Sequence, residues 1–203
     1  FSKVRARLGG RLRGFISGSA PLKRELAEFF YAVGVPVLEG YGLTETSPVV
    51  SANRLESLRF GTVGRPIRNV EVRIAEDGEI LVRGPNIMRG YYHMERETAE
   101  VLAGGWFHTG DIGLLDNDGF LVIVDRKKDL LKTSGGKYIT PQPIENRLKS
   151  SPYIADALVI AERRRFPSAL VVPNFAALER FAREQGLERG SHVELARHPQ
   201  IVE

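Results

Sequence analysis

The spacing of apolar residues between positions 11 and 38 predicts a β-α-β unit. Two short segments typical of strands, 11–17 and 35–38, enclose a stretch in which apolar residues recur every three or four positions, namely Leu22, Leu26, Phe29, Phe30 and Val33. Because that spacing is typical of one face of an amphipathic helix, we predict a strand, a helix and a second strand. The carboxyl ends of the two strands then lie at one edge of an open α/β sheet, where such sheets bind ligands.

Small and polar residues mark the ends of these elements. Ser19 is the predicted N-cap of the helix, Pro21 fits its first turn, and Gly34 follows its last residue. The first strand runs into the turn 18–21 and the second into the loop 40–45. We therefore expect the turn and the loop to lie side by side around one cleft.

From about residue 60 the pattern changes to short strands joined by tight turns. The turns are Asp77-Gly78, a strong hairpin signal, and the Asp-rich segment 116–119. The predicted strands are 70–74, 79–83, 106–115 and 120–124. Two hairpins of this kind predict a small sheet or a distorted barrel.

The charged segment 125–130 separates these strands from a last region with both helices and strands. That region is predicted to contain a glycine-tipped hairpin, a helix, two strands and a second helix, over residues 130–139, 141–149, 154–161, 168–172 and 175–185. The predicted fold class is α/β and β mixed: the end of an α/β subdomain, a small distorted β-barrel-like subdomain, and a truncated α+β domain. The corresponding boundaries are 1–58, 59–124, a hinge at 125–130, and 131–203.

Composition narrows the possible functions. The chain has 203 residues, 42% hydrophobic and 27% charged, which is enough for a globular protein with a buried core. It has no cysteine, which excludes disulfides and thiolate metal sites, and no apolar run of about 18 residues that would span a membrane. The net charge of +4 permits an anionic partner, but the basic clusters are not interleaved with stacking aromatics. We therefore predict no nucleic-acid binding.

The segment 39–48 carries the most specific candidate chemistry. It has two glycines around Tyr41, followed by Thr44 and Glu45. An aromatic face, a hydroxyl and a carboxylate within five residues would suit the base, the phosphates and the Mg²⁺ of a nucleotide. The same residues also fit a purely structural interpretation, in which the strand ends in a polar turn and Glu45 is solvated.

A series of motifs in order resembles the adenylate-forming superfamily, and within it the long-chain acyl-CoA synthetases that release AMP. These motifs are Ser17-Gly-Ser-Ala-Pro-Leu22, Gly40-Tyr-Gly-Leu-Thr-Glu45, Gly61-Thr-Val-Gly-Arg-Pro66, Gly78-Glu-Ile-Leu-Val-Arg-Gly84, Arg89-Gly-Tyr91, Trp106-Phe-His-Thr-Gly-Asp111, Asp125-Arg126, Ser134-Gly-Gly-Lys137 and Pro143-Ile-Glu145. The segments 133–139 and 141–145 resemble the fatty-acyl branch in particular. The series covers about 17–173.

The resemblance implies ATP-dependent activation of a fatty acid to acyl-AMP, followed by thioester formation with CoA. ATP/AMP, Mg²⁺ and CoA are therefore the implied cofactors and substrates. It implies that Thr44, Glu45 and Arg126 are catalytic, with Thr44 at the phosphates and Glu45 as the Mg²⁺ ligand. It further implies that Asp111 accepts the two ribose hydroxyls and that Tyr41 stacks on the adenine. The remaining implied nucleotide-binding residues are Gly18, Ser19, Ala20, Pro21, Gly40 and Gly42.

For the last region the resemblance implies a domain rotation between the two half-reactions. Lys128 stands at the pivot position, and Gly135, Gly136 and Lys137 are implied to approach the site when the thioester forms. Gly42 lies where acetate-using relatives carry a tryptophan, so a glycine there is expected to leave the acyl pocket open.

Several of these residues also have a purely structural interpretation. Asp111 could cap a turn, Tyr41 could be core, and Arg126 could form a surface ion pair with Asp129. The glycines at 135–136 could be a plain hairpin tip. We expect His108 to be structural, because no carboxylate partner for it is evident, and Trp106 to serve packing.

The family's glycine-rich phosphate loop and its C-terminal catalytic lysine motif do not occur in these residues. We therefore expect a piece of a longer protein that makes no acyl-CoA by itself. The rival interpretations are a fatty acyl-AMP ligase, an aryl-CoA ligase, a peptide-synthetase adenylation domain, or a non-catalytic nucleotide-binding module. The expected location is cytoplasmic. Peripheral association with the inner membrane face and the oligomeric state are both left open.

Overall fold

The chain forms two compact units in a computed structural model that describes residues 1–187 and 191–198. The units are Phe1–Lys127 and Lys128–Glu203, and each is considered by itself. The division falls within the segment 125–130 that the sequence predicts as a hinge. The hinge motion itself stays a prediction.

The first unit contains the predicted β-α-β unit. After a short helix α1 (Ser2–Arg7) come β1 (Phe15–Ser17), α2 (Arg24–Val33) and β2 (Val37–Tyr41). Strands β1 and β2 pair in parallel, with Ser17 opposite Glu39, so their carboxyl ends share one sheet edge. Gly34 ends α2 in the left-handed conformation, with φ of 79°, as predicted.

The predicted start of α2 is wrong. The helix begins at Arg24 with Lys23 as its N-cap, and no side chain caps its first turn. Ser19 has φ of 67°, whereas an N-cap residue needs an extended backbone, so Ser19 belongs to the turn instead. The turn after β1 is consequently longer than the apolar spacing suggests.

Two short strands extend the first sheet beyond the predicted unit. They are β3 (Ser51–Ala52) and β4 (Arg65–Pro66), and the sheet order is β1-β2-β3-β4. Both added pairings are antiparallel. The chain leaves β2 through the loop 42–50, which contains a single 3₁₀ turn at Thr44–Thr46.

The second sheet of this unit is the predicted pair of hairpins. Its strands are β5 (Glu71–Ile74), β6 (Glu79–Arg83), β7 (Phe107–Leu115) and β8 (Leu121–Arg126), antiparallel and in chain order. The helix α3 (Glu95–Val101) between β6 and β7 was not predicted. Register shifts interrupt the ladders in β6 and β7, and such irregularities bend a sheet. The mixed α/β fold class is confirmed.

One buried cluster joins the two sheets of the first unit. It consists of Val50, Val70, Ile80, Val82, Phe107 and Leu121, all nearly or fully buried. Leu43 packs against the same cluster. Because Leu43 and Val50 lie at opposite ends of one loop, the core anchors that loop on both sides.

The second unit follows the predicted order of elements. It comprises β9 (Leu131–Lys132), β10 (Tyr138–Ile139), α4 (Pro141–Leu148), β11 (Ile154–Ile160), β12 (Ser168–Pro173), α5 (Phe175–Glu184) and α6 (His192–Arg197). The Glu145 carboxylate in α4 accepts the Val159 N–H at 2.8 Å, which ties the helix to β11. Helix α6 was not predicted, although Ser191 and Glu194 form a capping box that signals its start.

Membrane-spanning helices are not found in the part of the chain that the structure describes. None of its helices is both long enough and apolar enough to cross a bilayer.

Candidate nucleotide site

The turn 18–21 and the loop after β2 begin side by side at one sheet edge. A Cβ atom on Gly18 would lie 3.4 Å from the carbonyl oxygen of Gly40, which places the two main chains next to each other. Residues 18–21 are all exposed, so they are accessible to a ligand. The predicted juxtaposition of turn and loop is confirmed, whereas their binding of adenine stays a prediction.

The side chains of Tyr41 and Arg126 meet at Asp111. The Tyr41 hydroxyl donates to Oδ2 of Asp111 at 2.6 Å, and Nε of Arg126 lies 3.5 Å from Oδ1. Asp111 is only 6% exposed, and in the sheet it stands directly opposite Arg126. Arg126 thus pairs across the sheet with Asp111, rather than with Asp129 as the surface-pair interpretation had it.

The electrostatics keep the Tyr41 phenol protonated. Burial, and then the hydrogen bond to Asp111, raise the pKa of Tyr41 far above its usual range, so its phenol stays a donor. A carboxylate has about four lone-pair positions, which is more than the single Tyr41 donor uses. The Arg126 side chain is mostly exposed and can present its charge to an anion. A buried acceptor beside an exposed guanidinium suits a ribose diol linked to a phosphate.

Buried Thr46 organises the loop that carries Thr44 and Glu45. Its hydroxyl accepts the Leu43 N–H at 2.9 Å and lies 2.9 and 2.8 Å from the carbonyl oxygens of Leu43 and Pro48. Thr44 is exposed and Glu45 is partly buried at the turn that results. Thr46 was missed by the sequence analysis, because nothing in the spacing shows which hydroxyl of the loop points inward.

Gly42 is required by the main chain of the same loop. A Cβ atom there would lie 1.7 Å from the carbonyl oxygen of Pro48 and 2.9 Å from Cα of Val49. The backbone of the loop fills the direction that a side chain would take, which gives this glycine a structural reason of its own. The expectation that Gly42 leaves the acyl pocket open stays a prediction. Its role as a ligand-binding residue stays a prediction.

The donor set around Glu45 fits a Mg²⁺ ion that is held mainly by substrate phosphates. No group of three or more potential metal ligands of the His, Cys, Asp and Glu types occurs among residues 1–187 and 191–198. Mg²⁺ commonly uses one or two carboxylates and completes its coordination with phosphates and water. A single carboxylate at the nucleotide loop is consistent with that mode.

Two residues after β6 also reach this loop and were missed. The Tyr91 hydroxyl donates to Oε1 of Glu45 at 2.8 Å, and Nδ2 of Asn86 donates to the carbonyl oxygen of Thr46 at 3.0 Å. Tyr91 belongs to the Arg89-Gly-Tyr91 motif, but its position in the sequence carries no sign that it faces Glu45.

A buried ionic cluster supports the strand that carries Asp111. Glu79 is 6% exposed and accepts from Nζ of Lys127 at 2.9 Å and from the Gly110 N–H at 2.9 Å. Nδ1 of His108 lies 3.3 Å from the same carboxylate, so the expectation that His108 lacks a carboxylate partner is wrong. Its structural role agrees with the prediction. The cluster fixes the backbone immediately before Asp111.

The pKa of Glu79 makes this support dependent on pH. Burial works to raise its pKa, but the hydrogen bonds from Lys127, Gly110 and His108 outweigh burial and hold it below the ordinary value of 4.5. A lowered folded-state pKa stabilises the fold above the unfolded-state value, and this contribution is lost as the pH falls through the folded-state value.

We expect Glu79→Gln to lower the free energy of unfolding of the first unit by about 2 kcal/mol at pH 7. As the pH is lowered from 7 through the folded-state pKa of Glu79, the difference from the unaltered protein should shrink, because Glu79 then becomes protonated itself. Urea unfolding over a series of pH values measures it, with Glu76→Gln on the exposed turn of the same hairpin as the control. A difference that does not change with pH would contradict this account of Glu79.

In the second unit the two glycines at 135–136 form an exposed hairpin tip. A Cβ atom on either would meet nothing within 4 Å, and Gly136 has φ of 80°. The hydroxyl of Thr133 accepts the Lys137 N–H at 3.1 Å and donates to the Lys137 carbonyl at 3.0 Å, which closes the hairpin. The approach of this tip and of Lys137 to the nucleotide, and the pivot at Lys128, stay predictions.

Comparison with known protein families agrees with these geometries. A model of the AMP-binding enzymes matches residues 2–92, and the model of their C-terminal domain matches residues 128–196. The chain belongs to the AMP-binding enzymes. The resemblance to the adenylate-forming superfamily is therefore confirmed.

Individual AMP-binding enzymes match nearly the whole length of this chain. It is 40% identical over 203 residues to long-chain-fatty-acid–CoA ligase FadD15 of Mycobacterium tuberculosis, covering 100% of this chain and 34% of that protein. It is 35% identical over 200 residues to long-chain-fatty-acid–CoA ligase 1 of Saccharomyces cerevisiae, covering 92% of this chain and 29% of that protein. The chain thus spans about a third of the length of these curated relatives.

Solved structures show the same fold. O-succinylbenzoate coenzyme A synthetase (MenE) from Bacillus subtilis, in complex with ATP and magnesium ion, superposes with a TM-score of 0.72 at 32% identity. The match covers 85% of this chain and 40% of that one.

Proposed function

We propose that the whole protein containing these residues is a long-chain-fatty-acid–CoA ligase of the AMP-forming type. The observation that carries the proposal is the 40% identity to FadD15, which extends over all 203 residues. The buried carboxylate of Asp111 beside Tyr41 and Arg126 supports a nucleotide as the ligand of this part of the protein.

The proposed reaction has two displacements. A carboxylate oxygen of the fatty acid bonds to the α-phosphorus of ATP, and the bond to the bridging oxygen breaks, so that pyrophosphate leaves. The sulfur of CoA then bonds to the acyl carbon as its thiol proton is lost, and AMP leaves with the electron pair of the broken bond. Both steps depend on positioning and on stabilisation of phosphate charge.

The residues described here would contribute to the nucleotide side of these steps. Asp111 would accept the ribose hydroxyls and fix the sugar, while Arg126 would place a positive charge beside it. The exposed hydroxyl of Thr44 would donate to a phosphate oxygen. Glu45 would hold Mg²⁺, which neutralises phosphate charge when it is bound.

The whole protein is expected to catalyse ATP–pyrophosphate exchange that depends on a long-chain fatty acid. Palmitate should support exchange, whereas acetate and o-succinylbenzoate should not, and adding CoA should release AMP and a thioester. Exchange with the aromatic acid alone would favour an aryl-CoA ligase. Transfer to a carrier protein in place of CoA would favour a fatty acyl-AMP ligase or a peptide-synthetase adenylation domain.

The cellular location is part of the same proposal. A cytoplasmic enzyme that takes a fatty acid from a bilayer would associate with the inner membrane face without spanning it. Separation of cell extracts into soluble and membrane fractions, with a salt wash of the membranes, distinguishes peripheral association from none.

A further inference from the structure

The carboxylate of Glu45 is held by one neutral donor from a distant segment. The Tyr91 hydroxyl donates to its Oε1 at 2.8 Å, across 46 positions of sequence. Among the residues that the structure describes, Glu45 forms no ion pair, and its Oε2 accepts no hydrogen bond. One oxygen is thus oriented by the protein while the other remains available.

The segment that carries Tyr91 also fixes the main chain of the loop. The Met88 N–H donates to the Glu45 carbonyl oxygen at 2.8 Å. Nδ2 of Asn86 donates to the carbonyl oxygens of Thr46 and Val49, at 3.0 and 2.9 Å. Residues 86–91 therefore hold both the backbone of the loop and the side chain at its turn.

The kind of donor matters for what Glu45 can bind. A lysine or arginine at the position of Tyr91 would cancel much of the carboxylate charge, and the affinity for a cation would fall. A neutral phenol restricts the rotamers of Glu45 and leaves its charge intact. Fixing a free glutamate side chain costs conformational entropy, so a preoriented carboxylate binds a cation with less loss of entropy.

We propose that Tyr91 is a positioning residue for the divalent cation of the bound nucleotide. By holding Oε1 of Glu45, it would fix the orientation in which the Glu45 carboxylate receives that cation. The inference rests on the proposed use of a Mg²⁺–nucleotide by this protein. It adds a role for the tyrosine of the Arg89-Gly-Tyr91 motif, to which the sequence analysis assigned none.

The variant Tyr91→Phe removes only the hydroxyl, and Tyr92→Phe makes the same change at the neighbouring residue. Tyr92 is 87% exposed, and its ring packs against His93. Mn²⁺ binding to the whole protein with saturating ATP and no fatty acid, followed by electron paramagnetic resonance, reports the cation directly. We expect Tyr91→Phe to raise the Mn²⁺ dissociation constant about tenfold, because the Glu45 side chain must then lose its rotamer freedom when the cation binds. Tyr92→Phe should leave it unchanged.

Two further measurements separate positioning from a structural effect. ATP binding without a divalent cation should be the same in Tyr91→Phe and the unaltered protein. In the exchange reaction the Mg²⁺ concentration for half-maximal rate should rise, while the rate at saturating Mg²⁺ is largely restored.

The outcomes distinguish this inference from the proposed function. Unchanged Mn²⁺ affinity in Tyr91→Phe, or an equal loss of metal-free ATP binding, would overturn the positioning role. Absence of Mn²⁺ binding by the unaltered protein with ATP would also overturn it. Weakened Mn²⁺ binding in Tyr91→Phe, together with no exchange on any fatty acid, would support the positioning role and refute only the proposed activity.

Discussion

Asp111→Asn is expected to weaken the binding of a non-hydrolysable acyl-AMP analogue to the whole protein by about 100-fold or more. The change replaces an acceptor oxygen by an amide that donates, so one ribose hydroxyl loses its partner and meets a second donor. A hydrogen bond to a charged group contributes about 1.5–3 kcal/mol. One such bond is lost and the other becomes a weaker bond to a neutral oxygen, which supports a loss of this size. Isothermal titration calorimetry measures it.

Asp118→Asn is the matched control for this variant. Asp118 is an exposed carboxylate on the turn between β7 and β8, where it pairs with Arg59. We expect it to leave the affinity for the analogue unchanged. Equal affinity of Asp111→Asn and the unaltered protein would remove Asp111 from the nucleotide site. Tight binding by the unaltered protein without any exchange activity would instead favour a non-catalytic nucleotide-binding module.

Gly42→Ala is expected to lower the free energy of unfolding of the first unit by about 3 kcal/mol. The added methyl group would lie 1.7 Å from the carbonyl oxygen of Pro48, so the backbone of the loop must move. Because Thr44 and Glu45 belong to that loop, affinity for the nucleotide should fall as well. Urea unfolding followed by tryptophan fluorescence measures the stability, since Trp106 lies in the same unit.

Gly135→Ala provides the control for the added methyl group. A Cβ atom at residue 135 would meet nothing within 4 Å, and the residue does not have positive φ, so we expect almost no change in stability. A Gly42→Ala protein that is as stable as the unaltered one would contradict the requirement of the backbone for a glycine here. A preference for shorter acids in that stable variant would support the acyl-pocket interpretation of Gly42.

Turn chemistry explains why the hairpins were predictable. The Asp77-Gly78 pair and the segment 116–119 connect strands that are neighbours in the sequence, and the structure pairs them as predicted. The start of α2 was not predictable in the same way. Several residues between Ser19 and Lys23 could begin the helix, and the backbone conformation of the turn decided among them.

The candidate site residues were likewise predictable only in part. Tyr41, Glu45, Asp111 and Arg126 could be selected by residue type and motif, although their roles with a ligand stay predictions. The contacts of these residues with distant parts of the chain could not be predicted from residue type or motif. Asp111 meets Tyr41 across 70 positions, and Glu79 meets Lys127 across 48, with no local pattern to connect them.

The order of amino acids alone was therefore enough to predict the β-α-β unit, the hairpins and the family resemblance, because periodicity, turn residues and motifs are local properties. Only the folded chain decided that Tyr91 holds Glu45, that Thr46 closes the loop, and that Gly42 is required by backbone packing. Each of these depends on which distant segments pack together. In the nucleotide loop, tertiary packing fixes the backbone and orients the Glu45 carboxylate, which residue types alone do not determine.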